Sequence, residues 1–379
     1  MLGMMLALGL NSGRVMVVDE TTGEVRWAVQ AQPFHSLVAM SPVTGRFVAS
    51  VGCGKDYWQL WDATRGALHR VGATHNGTGA CICEVNGLGE RLLQAGCPVV
   101  APTPGSGFFS VAFAPCGGRF ATGSRYGAVV VWDAQTGEAE HRMQGSGTMD
   151  APTGNAALCL TFSAGGARLA CVNGTGSIDV WDVTTSALLL TIPAPHGFAP
   201  DPLTHCASVS FSPTDNRRLI SAGVGRQIHL WDVDIGEKIR SIGGRQFAVF
   251  SPDGRSIATA RAKRRRGCDV ELVDAESGAL VLRIVGHEGP VTCASFSEDG
   301  SKLASGSNGI CNVWDSSTGA LLRTINVDED GGIETVAWGR DWVRDAKYSF
   351  AMGHHPRLGA GSQVLELEEG VVRMVLDRV

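Results

Sequence analysis

Charge is scarce in this chain, and what there is gives no strong sign. Asp, Glu, Lys and Arg make up 18% of the 379 residues and leave a net charge of -5. The molecule as a whole therefore has no electrostatic attraction for nucleic acid or anionic membrane, and any basic function has to be local. Long apolar runs are missing too. The most hydrophobic stretch, MLGMMLALGL at the N-terminus, is far shorter than the roughly 20 residues of a membrane span and lacks the charged start and cleavage site of a secretory leader. It reads as a buried strand. The 11 cysteines are odd in number, contain no C-x-x-C pair and lie partly inside apolar strand patterns, at Cys159, Cys206 and Cys293. That is the usage of reduced thiols, and it points to an intracellular protein, cytoplasmic or nuclear.

Recognisable catalytic chemistry is equally sparse. No G-x-S-x-G elbow, P-loop, H-E-x-x-H or clustered Cys/His set occurs. His354 and His355 stand side by side before Pro356, with no Cys or carboxylate close in sequence, and neighbouring histidines on a turn point apart. The expectation is no catalytic residue, no metal and no cofactor.

Turn chemistry and apolar strand patterns are abundant: 50 glycines, with 44% hydrophobic residues to build a core. They are organised in a repeat, plainest in HEGPVTCASFSEDGSKLASGSNGICNVWDSSTGALLRTI, residues 287–325. An alternating run ends at Phe296, a Ser-Glu-Asp-Gly turn follows, and then come a short strand, a tight turn, a strand ending in Trp314-Asp315, a Ser-Thr-Gly turn and a last strand. This is four antiparallel strands, a to d, in about 40 residues. The unit returns from Phe108, Ala157 and Cys206, and Trp-Asp recurs at Trp61-Asp62, Trp132-Asp133, Trp181-Asp182 and Trp231-Asp232. Weaker copies keep the aspartate alone, at Asp19 and Asp274.

This pattern resembles the WD-repeat family, in which Trp-Asp ends the third strand and Gly-His precedes the first, and the resemblance covers nearly the whole chain. It implies an all-β propeller of radially stacked four-stranded blades, since a lone four-stranded sheet has two apolar faces and buries neither unaided. The Trp-Asp residues and His287 are then structural, and Phe113, Phe162, Phe211, Phe250 and Phe296 are core. The family's polar network of His, Ser, Trp and a b-to-c-turn Asp is matched by His287, Ser305 and Trp314. Asn308 takes the Asp position there, and Lys55, Tyr126, Thr175, Gly225 or Gly267 takes it elsewhere, so packing is expected to matter more than the network. The resemblance also implies a non-catalytic scaffold that holds protein or peptide partners on a disc face, a monomeric disc within a complex.

Counting units gives eight, over 1–30, 34–72, 108–144, 155–192, 204–242, 245–284, 287–325 and 332–377, with an insertion at 73–107. Seven are complete and the first starts inside strand b. Either an eight-bladed ring contains one three-stranded blade, or the chain copies part of something longer, or displaced terminal strands close a seven-bladed ring. Long connections at 73–107, 144–155 and 193–204 join strand d to the next strand a, and strand alternation puts them on the same face as the b-to-c loops. One of those loops carries the single dense charge run, Arg261, Lys263, Arg264, Arg265 and Arg266 around Ala262. It is a candidate docking site for an acidic peptide, a phosphate or a nucleic-acid backbone, the other readings being a localisation signal or a solvated loop. An enzyme with its site at the channel mouth is the remaining class. It would need converging polar groups, which the Ala/Val/Ser-rich first strands do not offer.

Overall fold

In the computed structural model the described residues are 4–340, apart from 32–35, 43–44, 53–56, 76–78, 86–90, 93–107, 125–126, 147–156, 194, 196–205, 224–226, 244, 263–267 and 328–331. Among them the regular elements are strands, and no helix is long and apolar enough to cross a membrane. Blades 2 to 7 each take four consecutive strands. Blade 3, for example, is Phe108–Phe113, Arg119–Ser124, Ala128–Asp133 and Ala139–Gln144, paired in that order. The inner strands a of blades 2 to 7 begin at Ser36, Phe108, Ala157, Cys206, Arg245 and Cys293. The outer strands d begin at Leu68, Ala139, Leu188, Glu237, Leu280 and Leu321.

Blade 1 is assembled from both ends of the described chain. Met4–Leu10, Arg14–Asp19 and Val25–Gln30 supply strands b to d, and Ile333–Arg340 adds as strand a, with Leu6 opposite Trp338 and Leu8 opposite Val336. That strand lies between the inner strands of blades 2 and 7, so the inner strands form a closed ring of seven. Of the closures that eight repeat units left open, this is the seven-bladed ring closed by displaced terminal strands. The first strand of the eighth repeat is the missing first strand of the first, and the remainder of that repeat lies outside the described residues. The apolar N-terminal run is a buried strand from Met5 to Leu10. The insertion after blade 2 extends that blade's sheet: Gly79–Val85 pairs with the outer strand Leu68–His75, and Arg91–Leu92 pairs with Glu84 and Val85.

The core is a set of seven seams rather than one centre. Each buried apolar cluster joins two adjacent blades, as where Met5, Ala7, Val15 and Val17 of blade 1 meet Val48 and Trp61 of blade 2. In every seam the residue before the third-strand aspartate packs on the preceding blade. It is Trp61, Trp132, Trp181, Trp231 and Trp314 in five seams, Val273 between blades 5 and 6, and Val18 between blades 7 and 1. Burying a face against a neighbour removes the apolar area that an isolated blade would expose, at about 25 cal/mol per Å².

Outer strands add a second tie from one blade to the next. Trp27 Nε1 donates to Ala63 O (2.7 Å), Arg70 Nε to Gln135 O (3.1 Å), Arg240 Nη1 to Ser277 O (3.2 Å) and Arg323 Nη1 to Thr22 O (2.7 Å). Each acceptor sits in the c-to-d turn of the next blade, and Arg323 ties blade 7 to blade 1 across the closure. Ion pairs follow the same direction: Arg168 to Asp234 (2.7 Å), Arg218 to Glu276 (2.8 Å), and Lys302 to Glu20 at the closure.

Candidate functional site: the two mouths of the channel

The Trp-Asp residues divide their work. All five tryptophans are buried, and four indoles donate to a hydroxyl on strand b of their own blade: Trp61 to Ser50 (2.9 Å), Trp132 to Thr122 (2.9 Å), Trp231 to Ser221 (2.9 Å) and Trp314 to Ser305 (2.7 Å). Blade 4 has Cys171 at the corresponding place. A large ring can be buried here because its one polar atom is satisfied. The sequence pattern had not singled out Ser50, Thr122 or Ser221, although a hydroxyl nine to eleven residues before each Trp was there to be read.

In blade 7 the chain of bonds goes further. His287 Nε2 stands 2.6 Å from Ser305 Oγ. Ser305 Oγ, which accepts from Trp314, thus also bonds to the imidazole and links the two rings. Burial, with no acid among the described neighbours, drives the His287 pKa down to about 4. Asn308, at the position the family gives to Asp, forms a backbone bridge with Gly332. The polar network is thus a pair in blades 2, 3 and 5 and a trio in blade 7, more extensive than the sequence led one to expect.

The aspartates shape turns. Asp62, Asp133, Asp182, Asp232 and Asp315 each accept at least one amide N–H from two or three residues ahead in the c-to-d turn. The Ser317 hydroxyl, with the Thr318 amide and hydroxyl and the Ser317 amide, holds the Asp315 carboxyl down to about 2. Half-buried and engaged with its own turn, it has the surroundings of a cap rather than of a proton-transfer group.

One face of the ring carries the b-to-c hairpins and d-to-a connections, which touch each other. Ser307 Oγ donates to Pro290 O (3.0 Å) and Asn11 N to Gly332 O (2.9 Å). At the third connection Ser146 donates its amide (2.8 Å) and hydroxyl (2.6 Å) to Asp179, a fully buried carboxylate also reached by Asn173 and Thr191. The blade 6 hairpin that bears the basic run has seven paired positions between strands b and c, from Ser256–Asp274 to Ala262–Cys268, where blade 4 has five. Arg261 pairs backbone with Asp269 near its tip. Lys263, Arg264, Arg265 and Arg266 lie outside the described residues, as do most of the three long connections.

The opposite face carries the a-to-b and c-to-d turns. There the channel opens through a cavity of about 450 Å³, walled by Met40, Phe113, Leu160, Phe296 and Trp338 and reaching the surface at Pro42 and Glu298. Phe113 and Phe296 serve both core and channel wall. Among the described side chains of that wall only Ser295 and Glu298 are polar, which gives an apolar chamber without the converging acid, base and oxyanion donors of a hydrolytic or transfer site.

A family model described as WD domain, G-beta repeat matches residues 101–133 and 278–315. Curated relatives include autophagy-related protein 16 of Arabidopsis thaliana, 24% identical over 220 residues, which are 57% of this chain and 40% of that protein. The guanine nucleotide-binding protein subunit beta of the same plant is 25% identical over 235 residues, 59% of each chain. Human striatin-4 is 26% identical over 167 residues, 41% of this chain and 21% of striatin-4. The chain thus spans less than two thirds of the length of the relatives it matches. With the Trp-Asp repeat, the seven stacked blades and the ring closed by a displaced inner strand, this chain belongs to the WD-repeat β-propellers.

Proposed function

We propose that the protein is a non-catalytic scaffold that holds protein or peptide partners on the hairpin face of the disc. The observation that carries this reading is the way each blade is locked to the next by a buried seam, reinforced at four of the seven junctions by an outer-strand tie. Such a ring holds surface loops at fixed mutual positions, and binding on a preorganised surface loses less ordering entropy. The relatives that share the repeat point the same way.

Arg261, Lys263, Arg264, Arg265 and Arg266 are the anchor we assign on that face, for a partner with an acidic or phosphorylated segment. They follow in sequence from the longest described b-to-c ladder, and a dense cation cluster steers anionic partners at long range. A nucleic-acid backbone has the same chemistry and remains the second reading. The test compares wild type with the triple variant Arg264→Ser, Arg265→Ser, Arg266→Ser in affinity recovery of partners across a salt series, with a 20-nucleotide single strand as a competitor. Wild type should show the steeper salt dependence, and equal recovery at every salt concentration would remove the assignment. Competition by the oligonucleotide would favour the second reading.

A further inference from the structure

The apolar cavity at the turn face has the dimensions of a binding pocket. Its volume of about 450 Å³ falls in the roughly 300–1,000 Å³ typical of small-ligand sites. Trp338 has spent its one donor on Ser295 O (2.8 Å), so the indole offers the cavity a ring and no hydrogen bond. The described walling side chains other than Ser295 and Glu298 are apolar, so a large apolar group placed there would bury area against Met40, Phe113 and Trp338.

Charge around this mouth is sorted by side. The a-to-b turns of blades 6 and 7 carry Asp253, Glu298 and Asp299, all exposed on this face. Glu298 aligns with Pro42, Pro115 and Ala164 of blades 2, 3 and 4, and Asp253 and Asp299 align with Cys116 and Gly165 of blades 3 and 4. Their cations stand further out at the start of strand b, where Arg119 is paired with Glu140 (2.6 Å) and Arg168 with Asp234. On the acidic side Lys302 is turned outward to Glu20 and Arg255 follows Asp253 in the same turn. A polar recess of about 180 Å³ contains Asp253 and Asp299 and shares the Phe296 wall with the apolar cavity. Hydrogen bonds keep both carboxyls below the usual range: Asp253 through the Ser251 hydroxyl, and Asp299, against its partial burial, through Ser297 and Ser301.

We propose that this mouth is a second docking site. It takes a peptide segment whose large aliphatic or aromatic side chain enters the cavity between Met40, Phe113 and Trp338, with a flanking Lys or Arg beside Asp253, Glu298 and Asp299. The partner is opposite in charge to the one the basic hairpin would hold, and the two sites lie on opposite faces, so one disc can join two different partners. This site stands on its own geometry and does not need the hairpin reading.

A phage library of random dodecamers, panned on the full chain, tests it without presupposing a sequence. The selected peptides should carry a large apolar residue with Lys or Arg within two positions. The most enriched one, made with a fluorophore and followed by anisotropy, should bind about tenfold more weakly to Ala39→Phe, which fills the cavity from the inner strand of blade 2. It should bind roughly three- to tenfold more weakly to Glu298→Lys, a charge reversal on an exposed turn, compared at matched melting temperature. The Arg264, Arg265, Arg266 triple variant should bind it as wild type does, which separates this site from the hairpin. The proposal is overturned if nothing is enriched, if the selected peptides are acidic, or if Glu298→Lys binds them as wild type does. Where Ala39→Phe melts normally, undiminished binding to it would sink the idea as well.

Discussion

Two neighbouring seams solve the same packing problem with different chemistry. Between blades 6 and 7, Trp314 fills the gap, its indole N–H goes to Ser305, and Ser305 joins His287. Between blades 5 and 6, Val273 stands where the tryptophan would be, and Thr259, at the place of the strand-b hydroxyl, turns to Phe247 O (2.9 Å) instead. The c-to-d turn is unchanged, with Asp274 accepting the Ser277 amide (2.7 Å) and hydroxyl (2.6 Å). The aspartate cap is what each blade requires, and the tryptophan is one of two ways to fill a seam. Where it is present it brings a polar atom that obliges strand b to supply a hydroxyl.

The first way to break this comparison is to empty both seams. Trp314→Ala should cost about 3 to 5 kcal/mol, the range for removing a large buried aromatic, and it leaves Ser305 with His287 as its remaining partner. Val273→Ala removes two methyl groups and should cost about 2 kcal/mol. Thermal or denaturant unfolding of the two variants reads the difference directly. Equal losses would mean that the tryptophan seam relaxes around its cavity and that the trio contributes nothing.

A second contrast lies in the c-to-d turns. Blade 3 has Gly137 at φ +74°, and a Cβ there would stand 2.9 Å from Cδ of Arg70, the residue that ties blade 2 to this turn. Gly137→Ser should therefore cost about 2 to 3 kcal/mol, combining a left-handed backbone carrying a side chain with displacement of the tie. Its unfolding midpoint should fall accordingly, and restoring room with Arg70→Ala should recover part of the steric loss but not the backbone cost.

The trio can also be addressed by acid. His287 is buried and its pKa is lowered from 6.5 to about 4, so between those values the unfolded chain binds a proton that the folded one refuses. Stability contributed by this group is whole above about pH 6.5 and falls as the pH drops toward 4, by roughly 2 kcal/mol between pH 7 and pH 5. The measurement is the difference in unfolding free energy between wild type and His287→Gln across that range. The gap should shrink as the pH falls, and a gap that stayed constant would show that His287 titrates normally in the fold.

How much of this was legible in the sequence depends on range. The strands, the turn aspartates and the seam tryptophans follow from short-range periodicity, and each is present where that pattern put it. Closure was not legible: Met4–Leu10 and Ile333–Arg340 are both generic apolar strands, and nothing local distinguishes pairing with each other from opening separate blades. The ties from Trp27, Arg70, Arg240 and Arg323 depend on the lateral spacing of blades, which no single repeat encodes. The cavity depends on the ring radius in the same way. The basic run is legible as charge, but its partner is not, because a phosphate and a carboxylate present the same attraction to guanidinium groups.

The smallest expected effect is also the sharpest test of the turn comparison. At the position equivalent to Gly137, blade 4 has Ser186 with φ 59°, the one positive-φ residue other than glycine among the described residues. No outer-strand tie from blade 3 to this turn is present among the described residues, and Ser186 carries the unfavourable left-handed backbone conformation. Replacing it with glycine removes a cost of about 1 to 2 kcal/mol for the left-handed region and adds back about 0.5 to 1 kcal/mol of unfolded-state entropy. Ser186→Gly should therefore stabilise by about 0.5 to 1 kcal/mol, a rise of a few degrees at most in the melting temperature. If the variant were instead destabilised, Ser186 would be making a contact that outweighs its backbone cost, and the turn of blade 4 would be held by its side chain rather than tolerated in spite of it.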